Sequence, residues 1–488
     1  MIKNGFKTPD WVKDAVFYQI FPDRFAKSKN VQKPNNLETW DSPPSVYGYK
    51  GGDLLGVAEH LDYLEDLGVN AIYLNPIFQS TANHRYHTHD YFKVDPILGG
   101  NQAFRYLLDK AHQKGIRIVL DGVFNHASRG FYQFNHILET AAKSPYTDWF
   151  IIDSYPLNAY QGEPNYQCWW NLPALPKFNT DNPQVRSFIY DVARYWVEQG
   201  IDGWRLDVPF EIDDDVFWQE FRHIVKAANP DAYLVGEVPW EAQRWCQGDI
   251  FDGVMNYQFT QACIGYFAGN NINRDLENGM MGLPSTKVLD AAAFTKRVEE
   301  LLILYPKESV YAQLNLLDSH DMPRFLSLSS GDQSSLKLAT LFQMTYPGAP
   351  CIYYGDEIGI DSQEDRAPEF ARKSFTWNQS QWDHDLREFI KNCIHIRRNN
   401  TALRRGDLIN IFAEGSVISY IRQNNQDKLL ILINVGKSIT QCKIPLNSCF
   451  EENTRLIDIL GLQNIYIVKE NYLELVIPSR TGLILKQE

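Results

Sequence analysis

Short apolar runs alternate with amphipathic segments of helical period from residue 14 to about residue 358. This alternation is typical of βα units, in which each buried parallel strand is followed by a helix that covers the sheet. Eight runs can be placed, and eight parallel strands with crossover helices can close into a (β/α)8 barrel. The predicted strands lie within residues 15–21, 69–78, 116–124, 201–208, 232–238, 251–257, 312–319 and 349–357.

The spacing of the runs predicts two further modules. The stretch between Asp121 in the third run and Asp207 in the fourth is about twice as long as one βα unit needs. After about residue 400 the pattern changes to β-rich runs separated by polar turns. We therefore expect an α/β fold with a barrel in residues 1–125 and 177–400, a small inserted domain after the third strand in residues 126–176, and a C-terminal antiparallel β domain in residues 401–488.

Ionisable residues stand at the ends of several predicted strands, where barrel enzymes place their active sites. Arg205 and Asp207 alternate along the fourth strand and therefore share one of its faces. We expect Arg205 to lower the pKa of Asp207 and keep this carboxylate ionised as a nucleophile. Glu237 ends the fifth strand and can stay protonated as a general acid, because adjacent carboxyl groups push their pKa values apart. Such a pair, about 5 Å apart, is what retaining glycosidases use.

Four segments carry a resemblance to the α-amylase family, glycoside hydrolase family 13. They are DGVFNH (121–126), GWRLDV (203–208), VGEV (235–238) and LLDSHD (316–321), in the family's order and on the corresponding strands. The resemblance extends over essentially the whole chain. It implies that Asp207 is the nucleophile, Glu237 the acid/base, and Asp321 a third carboxylate that binds sugar hydroxyls.

The same resemblance implies which side chains hold the substrate. His126, Arg205 and His320 are expected to hold the glucosyl ring that is cleaved, and Tyr86 is expected to stack on it. Asp121 and Asn125 are expected to support the site rather than take part in the chemistry. Three tryptophans lie in the insert or beside a strand end and can serve as flat platforms for sugar rings: Trp169, Trp170 and Trp240.

Within the family, the segments LPKFN (175–179) and YQIFPDRF (18–25) resemble the cyclomaltodextrinase, neopullulanase and maltogenic amylase group. This resemblance implies cleavage of α-1,4 bonds, and in some members α-1,6 bonds, in maltooligosaccharides, cyclodextrins and pullulan, together with transglycosylation.

The chain departs from the pattern of that group at three places. Barrel sequence starts at about Trp11, without the N-terminal β domain that builds the group's dimer, so the oligomeric state stays open. The group has a Trp two positions after the acid, where this chain has Pro239 followed by Trp240, and the segment after the nucleophile reads VPFE (208–211). The balance between α-1,4 and α-1,6 cleavage therefore stays open.

Two alternatives remain beside an α-glucan hydrolase. One is an α-glucosidase or a relative that acts on sucrose or trehalose, which LPKFN argues against. The other is a catalytically silent glucan-binding protein, which the presence of all three carboxylates argues against.

The overall charge and composition exclude other classes of partner. The formal net charge of −13 opposes binding to nucleic acid and to anionic membranes and suits an uncharged sugar. The first residues lack the apolar segment of a signal peptide, and no apolar run is long enough to span a membrane, so we expect a cytoplasmic protein.

No cofactor is expected to be required. Seven cysteines without paired spacing predict neither a disulfide framework nor a zinc site. His84, His87 and His89 lie close together, but we expect them to line the cleft rather than bind a metal. Calcium binding is possible in this family, yet residues 26–36 lack the acidic side chains that calcium needs.

Overall fold

The computed structural model describes residues 6–277, 283–362, 368–446, 449–461 and 463–488. Eight strands form one parallel sheet, and each lies within one of the predicted runs. All of their residues except Arg117 are buried, which is why they read as continuous apolar runs. The strands are β1 (Phe17–Ile20), β2 (Ala71–Leu74), β3 (Arg117–Gly122), β4 (Gly203–Leu206), β5 (Tyr233–Gly236), β6 (Gly253–Val254), β7 (Leu314–Leu316) and β8 (Ala349–Tyr353).

The sheet closes almost completely into a barrel. Its order is β6-β5-β4-β3-β2-β1-β8-β7, and a parallel bridge between Met255 and Leu314 joins the two ends. A Cβ atom at Gly253 would lie 2.2 Å from the carbonyl oxygen of Ala312, so only glycine allows β6 to approach the chain before β7 this closely. The predicted (β/α)8 barrel is confirmed.

Helices surround the barrel, and several of them begin at a residue whose side chain caps the first turn. The predicted cap Asn182 accepts a hydrogen bond from the amide of Gln184, and Pro183 occupies the first helical position. Asp214 and Asp332 cap two other helices in the same way. The helices are Asp10–Lys13, Pro22–Phe25, Leu54–Glu59, Leu61–Leu67, Gly100–Gln113, Tyr132–Thr140, Pro183–Glu198, Asp215–Ala228, Tyr257–Cys263, Arg274–Glu277, Ala291–Leu304, Lys307–Val310, Phe325–Leu328, Gln333–Thr345, His384–Asn399 and Thr401–Arg405.

The segment between β3 and the helix that starts at Pro183 is the predicted insert. It contains one helix, Tyr132–Thr140, and isolated antiparallel bridges that pair residue 152 with 166 and residue 168 with 176. It rests on a hairpin formed by Phe78–Ser80 and Thr88–Val94, where the Tyr91 hydroxyl donates to the carbonyl of His126 at 2.8 Å. The insert therefore overhangs the carboxyl ends of the barrel strands. Its boundaries at residues 126 and 176, and the other domain boundaries, stay a prediction.

The C-terminal domain is antiparallel throughout, as predicted. A six-stranded sheet has the order β9-β10-β11-β16-β13-β14, and β12 pairs with β15. The strands are β9 (Asp407–Glu414), β10 (Val417–Gln423), β11 (Lys428–Asn434), β12 (Thr440–Pro445), β13 (Arg455–Asp458), β14 (Ile465–Ile467), β15 (Tyr472–Ile477) and β16 (Thr481–Gln487).

Strand β11 shows how this domain attaches to the barrel. Leu429, Ile431 and Ile433 belong to the main core, whereas Leu430 and Leu432 belong to a second core inside the C-terminal domain. Side chains of a strand point alternately to its two faces, so β11 is buried on both sides. The six-stranded sheet therefore packs against the barrel side on one face and against the core of its own domain on the other.

No helix in the described part of the chain combines the length and the hydrophobicity needed to cross a membrane.

Candidate active site

A single guanidinium group lies beneath three carboxyl groups at the carboxyl ends of β3, β4 and β5. Arg205 is fully buried, and its Nη1 lies 2.8 Å from Oδ1 of Asp121 and 2.8 Å from Oδ1 of Asp207. Its Nη2 forms an ion pair with Oε1 of Glu237 at 2.8 Å. The structure therefore brings Asp207 and Glu237, predicted from separate strands, onto one shared cation.

Glu237 is fixed by two further donors. The amide of Val208 donates to its Oε2 at 3.1 Å, and the hydroxyl of Tyr257 donates to its Oε1 at 3.4 Å. Val208 has φ 35° and ψ 51°, a left-handed conformation that is unfavourable for a β-branched residue. Such strain costs on the order of 1–3 kcal/mol and persists where the surroundings impose it. Here it accompanies the turn that presents the Val208 amide to Glu237.

The third carboxylate, Asp321, has its own positive and polar partners. Its Oδ2 lies 2.9 Å from Nε2 of His320, and its Oδ1 lies 3.0 Å from Nη2 of Arg372. Arg372 also donates through Nε to the carbonyl of His320 at 2.9 Å. On the other side of the ring, Nε2 of Gln19 lies 2.8 Å from Nδ1 of His320. With Nδ1 accepting from the Gln19 amide, the neutral imidazole carries its proton on Nε2, where Asp321 and the hydroxyl oxygen of Tyr86 are both within reach as acceptors.

Tyr86 and Asp121 join the two halves of the site. The Tyr86 hydroxyl donates to Oδ2 of Asp121 at 2.9 Å and lies 2.6 Å from Nε2 of His320. Its ring is parallel to that of His320, with centroids 5.5 Å apart and planes at 6°. Tyr73 also donates to Asp121, at 2.6 Å. Asp121 is thus fully engaged by donors, in line with the supporting role expected for it.

The remaining predicted side chains lie around this network. His126 is buried, its Nδ1 lies 3.1 Å from Nδ2 of Asn125, and its Nε2 has no hydrogen-bond partner among the described residues. Its ring stacks on that of Trp169, with centroids 5.5 Å apart. Trp240 is 50 % exposed on the loop after β5, with its ring 4.6 Å from that of Phe210.

Burial and shared charge control protonation in the site. Burial raises the pKa of Asp207 well above its usual value, although Arg205 opposes the rise, and Glu237 raises it further. Arg205 lowers this pKa, as predicted, but the net lowering that we expected does not occur, because one cation divided among three carboxyl groups does not offset their desolvation. Burial likewise raises the pKa of Glu237 to about 7, against the effect of Arg205. The pair accordingly retains a proton up to near-neutral pH.

Asp321 and the histidines behave differently from that pair. Burial raises the pKa of Asp321, but His320 and Arg372 outweigh it, so the pKa is lowered overall and the group is a carboxylate. Burial lowers the pKa of His320, and it lowers that of His126 to about 3, so both rings are neutral at pH 7. The site thus combines one stable carboxylate with two carboxyl groups that hold a proton between them.

Several residues of the site were not predicted from the sequence. Arg372 comes from the segment after β8, where no periodic pattern marks it, and Gln19 and Tyr73 lie within apolar strands. For Gln19 and Tyr73, the available signal was an inward-facing position on a strand, since a polar side chain inside a barrel needs a hydrogen-bond partner. Tyr257 follows β6 at the carboxyl end of the barrel, so its location was the available signal.

An ion pair connects the segments LPKFN and VPFE. Nζ of Lys177, in LPKFN, lies 3.0 Å from Oε2 of Glu211, in VPFE. The end of the insert is thereby held to the segment that follows Asp207.

The residues near Gly52 do not fit a calcium ion. Both carboxylate oxygens of Asp53 are engaged, Oδ1 by the amide of Gly56 at 2.7 Å and Oδ2 by the amide of Ser28 at 2.9 Å. Nζ of Lys33 lies 2.9 Å from the same Oδ2 and donates to the carbonyl of Ile97 at 2.7 Å. Across the residues that the structure covers, no three His, Cys, Asp or Glu side chains are grouped so as to hold a metal.

Residues 19–406 match the sequence model of the alpha-amylase catalytic domain. The chain belongs to the α-amylase family. A cyclomaltodextrinase of a Bacillus species is 43% identical over 437 residues, which cover 89% of this chain and 75% of that protein. Other curated relatives in this family are named neopullulanase and maltogenic amylase.

Two solved structures of relatives match this chain over almost their whole length. A protein of Thermus thermophilus is 44% identical with a TM-score of 0.94, covering 98% of this chain and 100% of that one. The debranching enzyme of Nostoc punctiforme is 46% identical with a TM-score of 0.90, covering 99% of each chain.

The raised pKa of Glu237 predicts a pH-dependent stability difference. Folding raises this pKa, so the stabilisation that Glu237 contributes is complete below pH 4.5 and is lost as the pH rises toward about 7. The free energy of unfolding of Glu237→Gln relative to that of the wild type should therefore rise between pH 4.5 and pH 8, by at most about 3 kcal/mol. The melting temperature of the variant relative to the wild type should rise with it. Glu139→Gln, an exposed change on the helix Tyr132–Thr140, is the control. A constant difference for Glu237→Gln across this range would contradict the raised pKa.

Proposed function

We propose that the protein is a retaining α-glucan hydrolase in which Asp207 is the nucleophile and Glu237 the acid/base. The observation that carries the proposal is the pair of carboxyl groups that end neighbouring strands, share the Arg205 guanidinium and retain a proton near neutral pH. A proton donor beside a carboxylate is the arrangement that double displacement at a sugar carbon requires.

The first step joins the sugar to the enzyme. Glu237 transfers its proton to the glycosidic oxygen while an oxygen of Asp207 attacks C1, so that the C1–O bond to the leaving sugar breaks and an ester to Asp207 forms. Because Arg205 contacts both groups, it stabilises the carboxylate of Asp207 before attack and that of Glu237 after proton transfer. The proton of the pair must reside on Glu237 for this step.

The second step reverses the roles. The Glu237 carboxylate takes a proton from water as the water oxygen attacks C1, and the ester to Asp207 breaks, which restores both groups. A sugar hydroxyl that takes the place of water gives transglycosylation. Asp321 and His320 are proposed to bind hydroxyl groups of the same ring. Since one face of Tyr86 is covered by His320, a sugar would meet its other face.

The names of the relatives support an α-glucan substrate. They include cyclomaltodextrinase, neopullulanase, maltogenic amylase and debranching enzyme. We infer that this protein cleaves α-1,4 bonds and also α-1,6 bonds in short, cyclic or branched α-glucans. His126 is proposed to bind the ring that is cleaved, and the exposed ring of Trp240 is proposed to contact a further sugar unit.

We propose that the protein acts in the cytoplasm, since one relative, from Bacillus subtilis, is named intracellular maltogenic amylase.

Removing either catalytic carboxyl group should abolish turnover without unfolding the protein. Asp207→Asn and Glu237→Gln should each lower kcat on maltotriose by about 10³-fold or more, because each removes an interaction made in the transition state. Circular dichroism checks the fold, and Glu139→Gln is the matched surface control. Turnover near that of the wild type in either variant would contradict the assignment.

The pH dependence of activity should follow the proton on the catalytic pair. Glu237 must be protonated in the first step, so kcat/KM should fall as the pH rises through about 7. Initial rates on maltotriose between pH 4 and pH 9 measure this limb. A plateau that continues unchanged to pH 9 would show that Glu237 does not supply the proton.

A substrate panel tests the proposed specificity. Maltotriose, β-cyclodextrin, pullulan and panose should be hydrolysed, and proton NMR of fresh products should show the α-anomer first, because two inversions give retention. Sucrose and trehalose should not be cleaved. Hydrolysis of sucrose alone would overturn the substrate class, and an initial β-anomer would overturn the covalent intermediate.

A further inference from the structure

Three parallel rings lead from the active site to the surface of the insert. The ring centroids of His126 and Trp169 are 5.5 Å apart with planes at 23°, and those of Trp169 and Trp170 are 4.4 Å apart with planes at 8°. Trp169 is covered on both faces and cannot stack on a sugar, although the sequence suggested it as a platform. Trp170 ends the stack and is 64 % exposed, so its outer face is free.

The backbone holds the outer ring in an unfavourable conformation. Trp170 has φ 49° and ψ 31°, and Asn171 has φ 57°, so two consecutive residues other than glycine are left-handed. Each such residue costs on the order of 1–3 kcal/mol. The stacking on Trp169 covers one face of the Trp170 ring, yet most of the ring stays in contact with solvent.

Local hydrogen bonds fix this conformation. The amide of Trp169 donates to the carbonyl of Leu175 at 3.0 Å, and the amide of Leu172 donates to the carbonyl of Trp169 at 3.0 Å. Nδ2 of Asn171 donates to Oε2 of Glu163 at 2.9 Å. The loop is therefore rigid before any ligand binds, which lowers the entropy that binding would cost.

We propose that the outer face of Trp170 is a binding subsite for a glucosyl unit of an α-glucan chain, beyond the units held at the catalytic carboxyl groups. The subsite rests on the proposed function and extends it to chain length. The flat indole covers the apolar C–H face of a sugar, while the exposed Glu163 carboxylate and Asn171 amide beside it can bond its hydroxyl groups. Trp169 acts as a positioning residue that sets the distance between this platform and His126.

The subsite predicts a loss that depends on substrate length. Trp170→Ala should lower kcat/KM for maltohexaose by about fivefold while changing that for maltotriose by less than about twofold, because only the longer chain reaches the platform. Trp170→Phe, which keeps a flat ring, should recover most of the loss. Initial rates on the two oligosaccharides give the ratio directly.

Tyr132→Ala is the matched control. Tyr132 is also 64 % exposed on the insert, but its ring contacts His136 and Tyr146 rather than the stack. This variant should leave both substrates unchanged. Equal losses for Trp170→Ala on the two substrates, or no loss on maltohexaose, would overturn the subsite.

A binding measurement separates the subsite from the proposed function. In Asp207→Asn, calorimetric titration with maltohexaose should show about fivefold weaker binding when Trp170→Ala is added. If the wild type fails to hydrolyse maltohexaose yet the affinity difference is present, the proposed function fails and the subsite stands. If hydrolysis proceeds and the affinity difference is absent, the subsite fails and the proposed function stands.

Discussion

The buried guanidinium of Arg205 determines how the whole site is built. It contacts three carboxyl groups at once, those of Asp121, Asp207 and Glu237. Removing several charged groups from water costs more free energy than their attraction to one shared cation provides, even when each contact is short. The excess negative charge must be reduced in another way. The structure does so by supplying tyrosine hydroxyls to Asp121 and by leaving a proton on the remaining pair.

This balance explains why the site has a second cation, Arg372. If Asp321 also depended on Arg205, a second proton would be needed and the third carboxylate would become neutral. Arg372 and His320 prevent this, and they arrive from the segments that follow β8 and β7. Tyr86 links the halves through hydrogen bonds rather than through charge. Asp321 is thus ionised, while the proton remains on the pair of Asp207 and Glu237.

The sequence predicted the scaffold well because its physical signals are local. Parallel strands buried on both faces give continuous apolar runs, and carboxylates that end those runs must meet at one rim of a barrel. In the C-terminal domain, β12 and β14 were not predicted, because the segment TQCKIP is largely polar and Ile465–Ile467 spans only three residues. The pKa of Asp207 was mispredicted, since it depends on burial and on charges from other strands. Arg372 lies far along the chain from the carboxylate that it contacts.

Two contacts join the segments that surround the carboxyl groups. Lys177, at the end of the insert, forms an ion pair with Glu211, three residues after Val208. Trp240 packs on Phe210 of the same VPFE segment, so the loop after Glu237 and the loop after Asp207 share one surface. A change in either loop would therefore move the walls of the cleft without moving Arg205. In barrel enzymes the loops can vary and carry specificity while the residues inside the barrel stay constant, and here Arg205 is buried inside the barrel whereas these two contacts lie in the loops.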